Sequence, residues 1–204
     1  LEARALLRVE DDDRRFERRP ARTRDGEGIT GHHHVIARMH VEGDAAEADA
    51  ENARLVNTEA PRVMAESAAE AGALLVHYST DYVFDGTARL PYTEETPTRP
   101  LGVYGATKLA GEQAVAAAGA DYLTLRTAWL YSNHGKNFLN TMLRLAGERD
   151  ELRVVNDQIG CPTYADLVAE ATIAMLDGLY ANGSVRKERC GLYHVTCSGE
   201  TSWW

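Results

Sequence analysis

The sequence predicts an α/β chain with a doubly wound, mostly parallel sheet, and three observations carry the prediction. From about Asp44 onward, short apolar runs rich in β-formers alternate with Ala-rich segments of helical spacing, the pattern of successive βαβ units. Thr80, Asp81 and Tyr82 follow directly after one apolar run and Thr127 to Tyr131 close another, where open α/β sheets present a ligand crevice. With 204 residues and 44% hydrophobic content, the chain can bury one core, so one domain is expected.

Nine of the nineteen arginines fall in the first forty residues, where "DDDRRFERRPARTRDGEG" has no period. Residues 1–43 are therefore expected to be an atypical, poorly ordered segment, and residues 44–204 the α/β domain. "AAEADAENARLVNTEAPRVMAESAAEAG" is helical, with Leu55, Val56, Val63, Met64 and Ala68 at helical spacings and Pro61 starting or kinking a segment. A strand follows over Ala73–Ser79, then a loop, then a helix from Tyr104 to Ala118. "YLTLRTAWLY" reads as a second strand, "NFLNTMLRLAGE" as a helix, "LRVVN" as a short strand and "DQIGCPT" as a turn. "YADLVAEATIAMLDGLY" is an amphipathic helix and "GLYHVTCS" a last strand.

Composition removes several function classes. A net charge of -9 argues against a polyanion such as nucleic acid as the main partner. No apolar run reaches the roughly 18 residues of a membrane span. Cys161, Cys190 and Cys197 are too few and too unevenly spaced for a disulfide framework or a zinc site, which suits a reducing cytoplasm. Three adjacent histidines at 32–34 do not converge on one point in a helix or a strand, so no metal site is expected.

The strongest constellation is "YGATK", Tyr104 to Lys108, at the head of a helix. An i, i+4 pair shares one helical face, so the phenol and the ammonium can point into one crevice. A nearby cation favours the phenolate, and lowering a phenol by about two units corresponds to roughly 2.7 kcal/mol. Thr80, a hydroxyl at a strand end upstream in the same frame, completes a donor set facing a carbonyl that becomes an alkoxide. His77 reads as a satisfied core histidine and Cys161 as a small apolar filler.

Taken together, "STDYVFDG", "YGATKLAGE", "LRTAWLY", "NFLNTMLRLA" and "DQIGCPT" resemble the extended short-chain dehydrogenase/reductase superfamily and, within it, the dTDP-4-dehydrorhamnose reductases. The resemblance runs from about Asp44 to Thr201. It implies a Rossmann-like sheet, incomplete in its N-terminal half, with part of a small substrate-binding subdomain. It implies a cytoplasmic enzyme that reduces the C4 keto group of dTDP-4-dehydro-L-rhamnose with NADPH or NADH. Tyr104 would protonate the C4 oxygen, Lys108 would lower its pKa and bind the cofactor ribose, and Thr80 would donate to the same oxygen. Thr127 and Ala128 would join Tyr104 and Lys108 along the cofactor. Asp81, Tyr82 and Trp129 would border the sugar, and Asn137, Gln158, Gly160, Pro162 and Thr163 would hold the thymidine diphosphate. The partner is then a dTDP-sugar, and a homodimer is left open.

One departure bears on activity. "GEGITG" (Gly26, Gly28, Gly31) spells a dinucleotide fingerprint, but it follows charged text instead of an apolar strand, and only 43 residues separate Gly31 from Leu74. It is read as a decoy, and the 204-residue chain is expected to have little turnover. A non-catalytic binding or regulatory protein of the same ancestry is the alternative; Thr80, Tyr104 and Lys108 together favour the reductase.

Overall fold

The computed structural model describes residues 34–37, 43–135, 137–181 and 184–204. Gly26, Gly28, Gly31, His32 and His33 lie outside the described residues. Four strands form the main sheet: β1 (His34–Ala37), β2 (Leu74–Thr80), β3 (Asp121–Thr127) and β9 (Gly191–His194), in the order β1-β2-β3-β9 and all parallel. The mostly parallel α/β architecture expected from the sequence is thus present. Strand β1, which the sequence reading does not assign, pairs His34 with Leu74 and Ala37 with His77.

Between β1 and β2 the chain is helical almost throughout: α1 (Gly43–Ala48), α2 (Ala50–Arg54), a wide π turn over Leu55–Glu59, and α3 (Ala60–Ala71). Pro61 sits in the first turn of α3, where its missing N–H costs little, and the π turn precedes it. Gly72, at φ 61°, ends α3 in the left-handed conformation, and Ala73 N–H closes back on the Ala68 carbonyl.

Helix α4 (Val103–Ala117) returns across the sheet to β3, and α6 (Ala165–Leu179) covers the other face. The period-2 alternation of β2 divides its side chains between two cores. Leu75 packs with Ala65, Ala68 and Val115 beneath α3 and α4. Leu74 and Val76 join Leu123, Leu125, Leu176 and Leu179 beneath α6. Burial on both faces explains the unbroken apolar run "ALLV".

The glycines of "YGATKLAGE" are there for close approach. A Cβ on Gly105 would collide with the Tyr82 carbonyl, and one on Gly111 with the Asn57 carbonyl. Backbone contact at two points presses α4 against the end of β2 and against the π turn.

The remaining elements are small. They are β4 (Leu130–Tyr131), α5 (Phe138–Ala146), β5 (Ile159–Gly160), β6 (Thr163–Tyr164), the β7 (Tyr180–Ala181) and β8 (Ser184–Val185) ribbon, and β10 (Thr201–Ser202). Two expectations need correction. The single strand read over Tyr122–Tyr131 stops at Thr127, turns at Trp129 (φ 43°), and resumes as β4, which pairs with β6. The strand expected at Leu152–Asn156 is absent, since residues 151–156 run along the surface with no neighbouring strand to satisfy a ladder. Conversely, "DQIGCPT" contributes β5 and begins β6.

Candidate functional site

The carboxyl ends of β2 and β3 lie side by side, with Thr80 opposite Thr127 in register. After Thr80 the chain tightens into one 3-10 turn, Asp81–Val83, whose first N–H groups need a cap. Thr80 Oγ1 accepts from Tyr82 N–H at 3.2 Å and donates to Asp81 Oδ1 at 3.1 Å. Burial raises the Asp81 carboxyl above the usual carboxylate range, and the Thr80 hydroxyl works against that shift. The Tyr82 ring meets the Tyr104 ring edge-on, centroids 5.6 Å apart. The contact follows from Gly105, which lets the start of α4 touch the turn. Glu47 Oε1 accepts from Tyr104 N–H at 3.3 Å, a carboxylate at a helix N-terminus.

Lys108, one helical turn after Tyr104, is 3% exposed. Its Nζ donates to the Tyr78 carbonyl at 2.6 Å. Burial brings the ammonium down to about 8, and the Glu112 carboxylate one turn further along opposes the shift. Thr80, Asp81, Tyr82, Tyr104, Lys108 and Thr127 are therefore gathered at one end of the sheet. Thr127 Oγ1 is buried without a hydrogen-bond partner, and Ala128 is buried beside it.

His77 is buried as expected but is not satisfied, because its Nε2 has no partner. Burial, with the Lys108 charge behind it, lowers the imidazole from 6.5 to about 3. Between those two values the unfolded chain takes up a proton that the folded chain does not, so His77 removes stability as pH falls from 6.5 towards 3 and removes none above 6.5. The full effect is roughly 3 to 5 kcal/mol. His77→Asn, which cannot titrate, is expected to flatten the pH dependence of the urea midpoint in that window; parallel slopes for the two proteins would count against this account.

A second cluster begins two residues past Thr127. Trp129 takes a positive φ, a conformation that costs a non-glycine residue about 1–3 kcal/mol and concentrates at functional sites. Its indole stacks on Trp203 at 3.7 Å, and Gly160 lies so close that a Cβ there would strike the ring. Trp203 Nε1 donates to Gln158 Oε1 at 3.0 Å. Antiparallel pairing of β5 with β10 (Gly160 opposite Thr201) delivers Trp203 to this place. Trp129, Tyr131, Phe138, Leu139, Pro162 and Trp203 line a cavity of about 310 Å³, within the range of small-molecule pockets.

Asn137 and Thr163 have internal partners. Asn137 Oδ1 caps α5 by accepting from Asn140 N–H at 2.9 Å, while its Nδ2 donates to the Ser132 carbonyl at 2.8 Å. Thr163 is 1% exposed, donates to the Cys161 carbonyl at 3.1 Å, and its N–H reaches the Trp129 carbonyl at 3.1 Å. Cys161 is half-buried with its Sγ donating to the Cys197 carbonyl at 2.8 Å. The sequence reading missed Trp203 and Phe138; the paired tryptophans of "SGETSWW" were the available signal.

A family model described as the RmlD substrate binding domain matches residues 32–204. The chain belongs to this family. Curated RmlD-type relatives include the dTDP-4-dehydrorhamnose reductase of Burkholderia thailandensis, 49% identical over 83% of this chain and 57% of the relative. That of Escherichia coli K12 is 46% identical over 83% of this chain and 56% of the relative. Among solved structures, a Clostridium acetobutylicum dTDP-4-dehydrorhamnose reductase superposes with a TM-score of 0.76 at 39% identity, covering 83% of this chain and 57% of that one. The Bacillus anthracis enzyme in complex with NADP gives 0.74 at 40% identity, covering 84% and 58%. The chain thus spans a little over half the length of the relatives it matches. Among the described residues, no helix is long and apolar enough to cross a membrane, and no group of three or more His, Cys, Asp or Glu could hold a metal ion.

Proposed function

We propose that this chain carries the proton-transfer and sugar-nucleotide half of a dTDP-4-dehydrorhamnose reductase, the activity named for its relatives. The observation that supports this most is the buried Lys108 held against the Tyr78 carbonyl one helical turn from Tyr104, at the strand end that carries Thr80. The Tyr104 phenol gives its proton to the C4 oxygen of dTDP-4-dehydro-L-rhamnose. The Lys108 ammonium stabilises the phenolate left behind. Thr80 donates to the same oxygen by swinging its hydroxyl away from Asp81 Oδ1, its partner at 3.1 Å.

The donor set fits a nicotinamide dinucleotide. Lys108 Nζ has three protons, of which one goes to Tyr78, and the others suit ribose hydroxyls; Thr127 and Ala128, buried at the neighbouring strand end, would form the wall along the cofactor. When bound, NADPH or NADH supplies the hydride for C4. The cavity lined by Trp129 and Pro162, with Gln158 and Gly160 held against its tryptophans, receives the sugar nucleotide, with Asp81 and Tyr82 towards the hexose. Asn137 and Thr163 serve this site by holding its walls in place.

Two measurements test the reading. Calorimetry with dTDP on the 204-residue chain is expected to give saturable binding. NADPH oxidation dependent on dTDP-4-dehydro-L-rhamnose is expected from a chimera in which residues 1–33 are exchanged for the N-terminal segment of the Burkholderia thailandensis reductase. No dTDP binding by a folded sample would remove the sugar-nucleotide reading. Binding of both ligands by the chimera without turnover would favour a non-catalytic binding protein.

A further inference from the structure

Six buried side-chain polar atoms have no hydrogen-bond partner among the described residues, and five of them belong to one face of the sheet. In the β2–β3 register His77 stands opposite Thr124, and Ser79 opposite Arg126; in the β3–β9 register Arg126 stands opposite His194. Residues two apart on a strand share a face, so these five make two adjacent cross-strand rows. The face is the one beneath α4, because Leu75 packs there on Val115 and Arg126 reaches Glu112. The unpartnered atoms are His77 Nε2, Ser79 Oγ, Thr124 Oγ1, Arg126 Nη1 and His194 Nε2. His77, Ser79, Thr124 and Arg126 are each 5% exposed or less.

Burying that many polar atoms unpaired is expensive, about 1–3 kcal/mol each, and native proteins avoid it. Neighbouring strands lie about 4.8 Å apart and same-face neighbours along a strand roughly 6.6 Å apart. An oxygen seated midway between the rows is about 3.3 Å from the line of each, so a small inward lean of the side chains brings it to the roughly 2.8–3.0 Å of a hydrogen bond. Arg126 Nη1 can only donate, the two hydroxyls can donate or accept, and a neutral imidazole does one at each nitrogen. The occupant must accept from the guanidinium, and it serves every tautomer and hydroxyl orientation only if it can also donate. Water does both; a halide ion only accepts, and a metal cation is repelled by Arg126 and Lys108.

We propose that the layer between the sheet and α4 is a bound-water site, in which ordered water bridges the His77–Thr124 row to the Ser79–Arg126 row, with His194 at its rim. Each water finds the two to four polar partners that buried waters require. The consequence for the chain is that α4 rests, at Lys108 and Glu112, on a hydrated polar floor instead of a dry apolar one. Its buried ammonium then has a polar neighbourhood even though it is closed to bulk solvent.

A high-resolution crystal structure of the full chain tests this directly. Ordered density within hydrogen-bond distance of at least two of His77 Nε2, Ser79 Oγ, Thr124 Oγ1 and Arg126 Nη1, unchanged by a bromide soak, is the expected result. Anomalous signal from bromide at that position would make the site an anion site and overturn the proposal, as would the side chains pairing directly with no density between them. Thr124→Val is expected to lose a water peak and to lower the thermal midpoint, and Thr124→Ser to keep both. In a dry layer, removing an unpaired hydroxyl would leave the midpoint unchanged or raise it.

Discussion

Tyr104→Phe is expected to lower turnover by about a hundredfold to ten-thousandfold, with little change in KM or in stability. The size follows from what a positioned proton donor contributes to a reaction that generates an alkoxide. The substitution removes one oxygen and keeps the ring, so the edge-on contact with Tyr82 survives, as does the backbone contact at Gly105 that sets the start of α4. Tyr104 is half-buried at the head of a long helix, away from the two apolar cores, and its loss as a phenol leaves them intact. The measurement is substrate-dependent NADPH oxidation by the chimera, with dTDP calorimetry on the same sample to show that the nucleotide still binds. A fall of less than tenfold in a sample that binds dTDP normally would take the proton donor away from Tyr104.

How much of this was readable beforehand depends on how local the cause was. The alternation of strands and helices follows from short-range pattern, and it placed β2, α4, α5 and α6 close to their boundaries and the starts of β3 and β9, while carrying both of those strands past their ends at Thr127 and His194. Bringing Thr80, Tyr104 and Lys108 to one sheet end was legible too, because a strand end and the head of the next helix are joined by the topology itself. The hydroxyl of Thr80 was not: its bond to Asp81 comes from the need to cap one turn of 3-10 helix. The family resemblance gives Asn137 to the nucleotide, and its side chain caps α5. Strand β1 was missed because four residues carry almost no periodic signal, and its existence depends on β2 lying alongside. Trp203 was missed for a similar reason, since only the pairing of β10 with β5 reveals that it belongs against Trp129, 74 positions earlier.

Breaking the ion pair behind the lysine should cost more stability than any other single side-chain change near the site. Arg126 Nε and Nη2 donate to the two oxygens of Glu112 at 2.9 and 2.7 Å, and the side chains are 6% and 5% exposed. The guanidinium also lies 5.1 Å from the Phe84 ring centroid. In water the two charges would be solvated separately; here each has given up most of its hydration for the other. Glu112→Leu therefore leaves a cation buried with no counter-charge at the same contact, which costs about 3–5 kcal/mol. That is a large share of the 5–15 kcal/mol by which a domain is ordinarily stable. The double variant Glu112→Leu/Arg126→Met removes both charges and fills the volume, and buried pairs exchanged in this way often come out neutral or better. Urea unfolding of the three proteins at neutral pH should therefore show a deep loss for the single variant and recovery for the double. A single variant costing under about 1 kcal/mol would mean that bulk solvent, beyond any ordered water at Nη1, reaches Arg126 and screens it. A double variant as unstable as the single would mean that the pair is held for its hydrogen-bond geometry, as the strut that fixes α4, and with it Lys108, at its distance from β3.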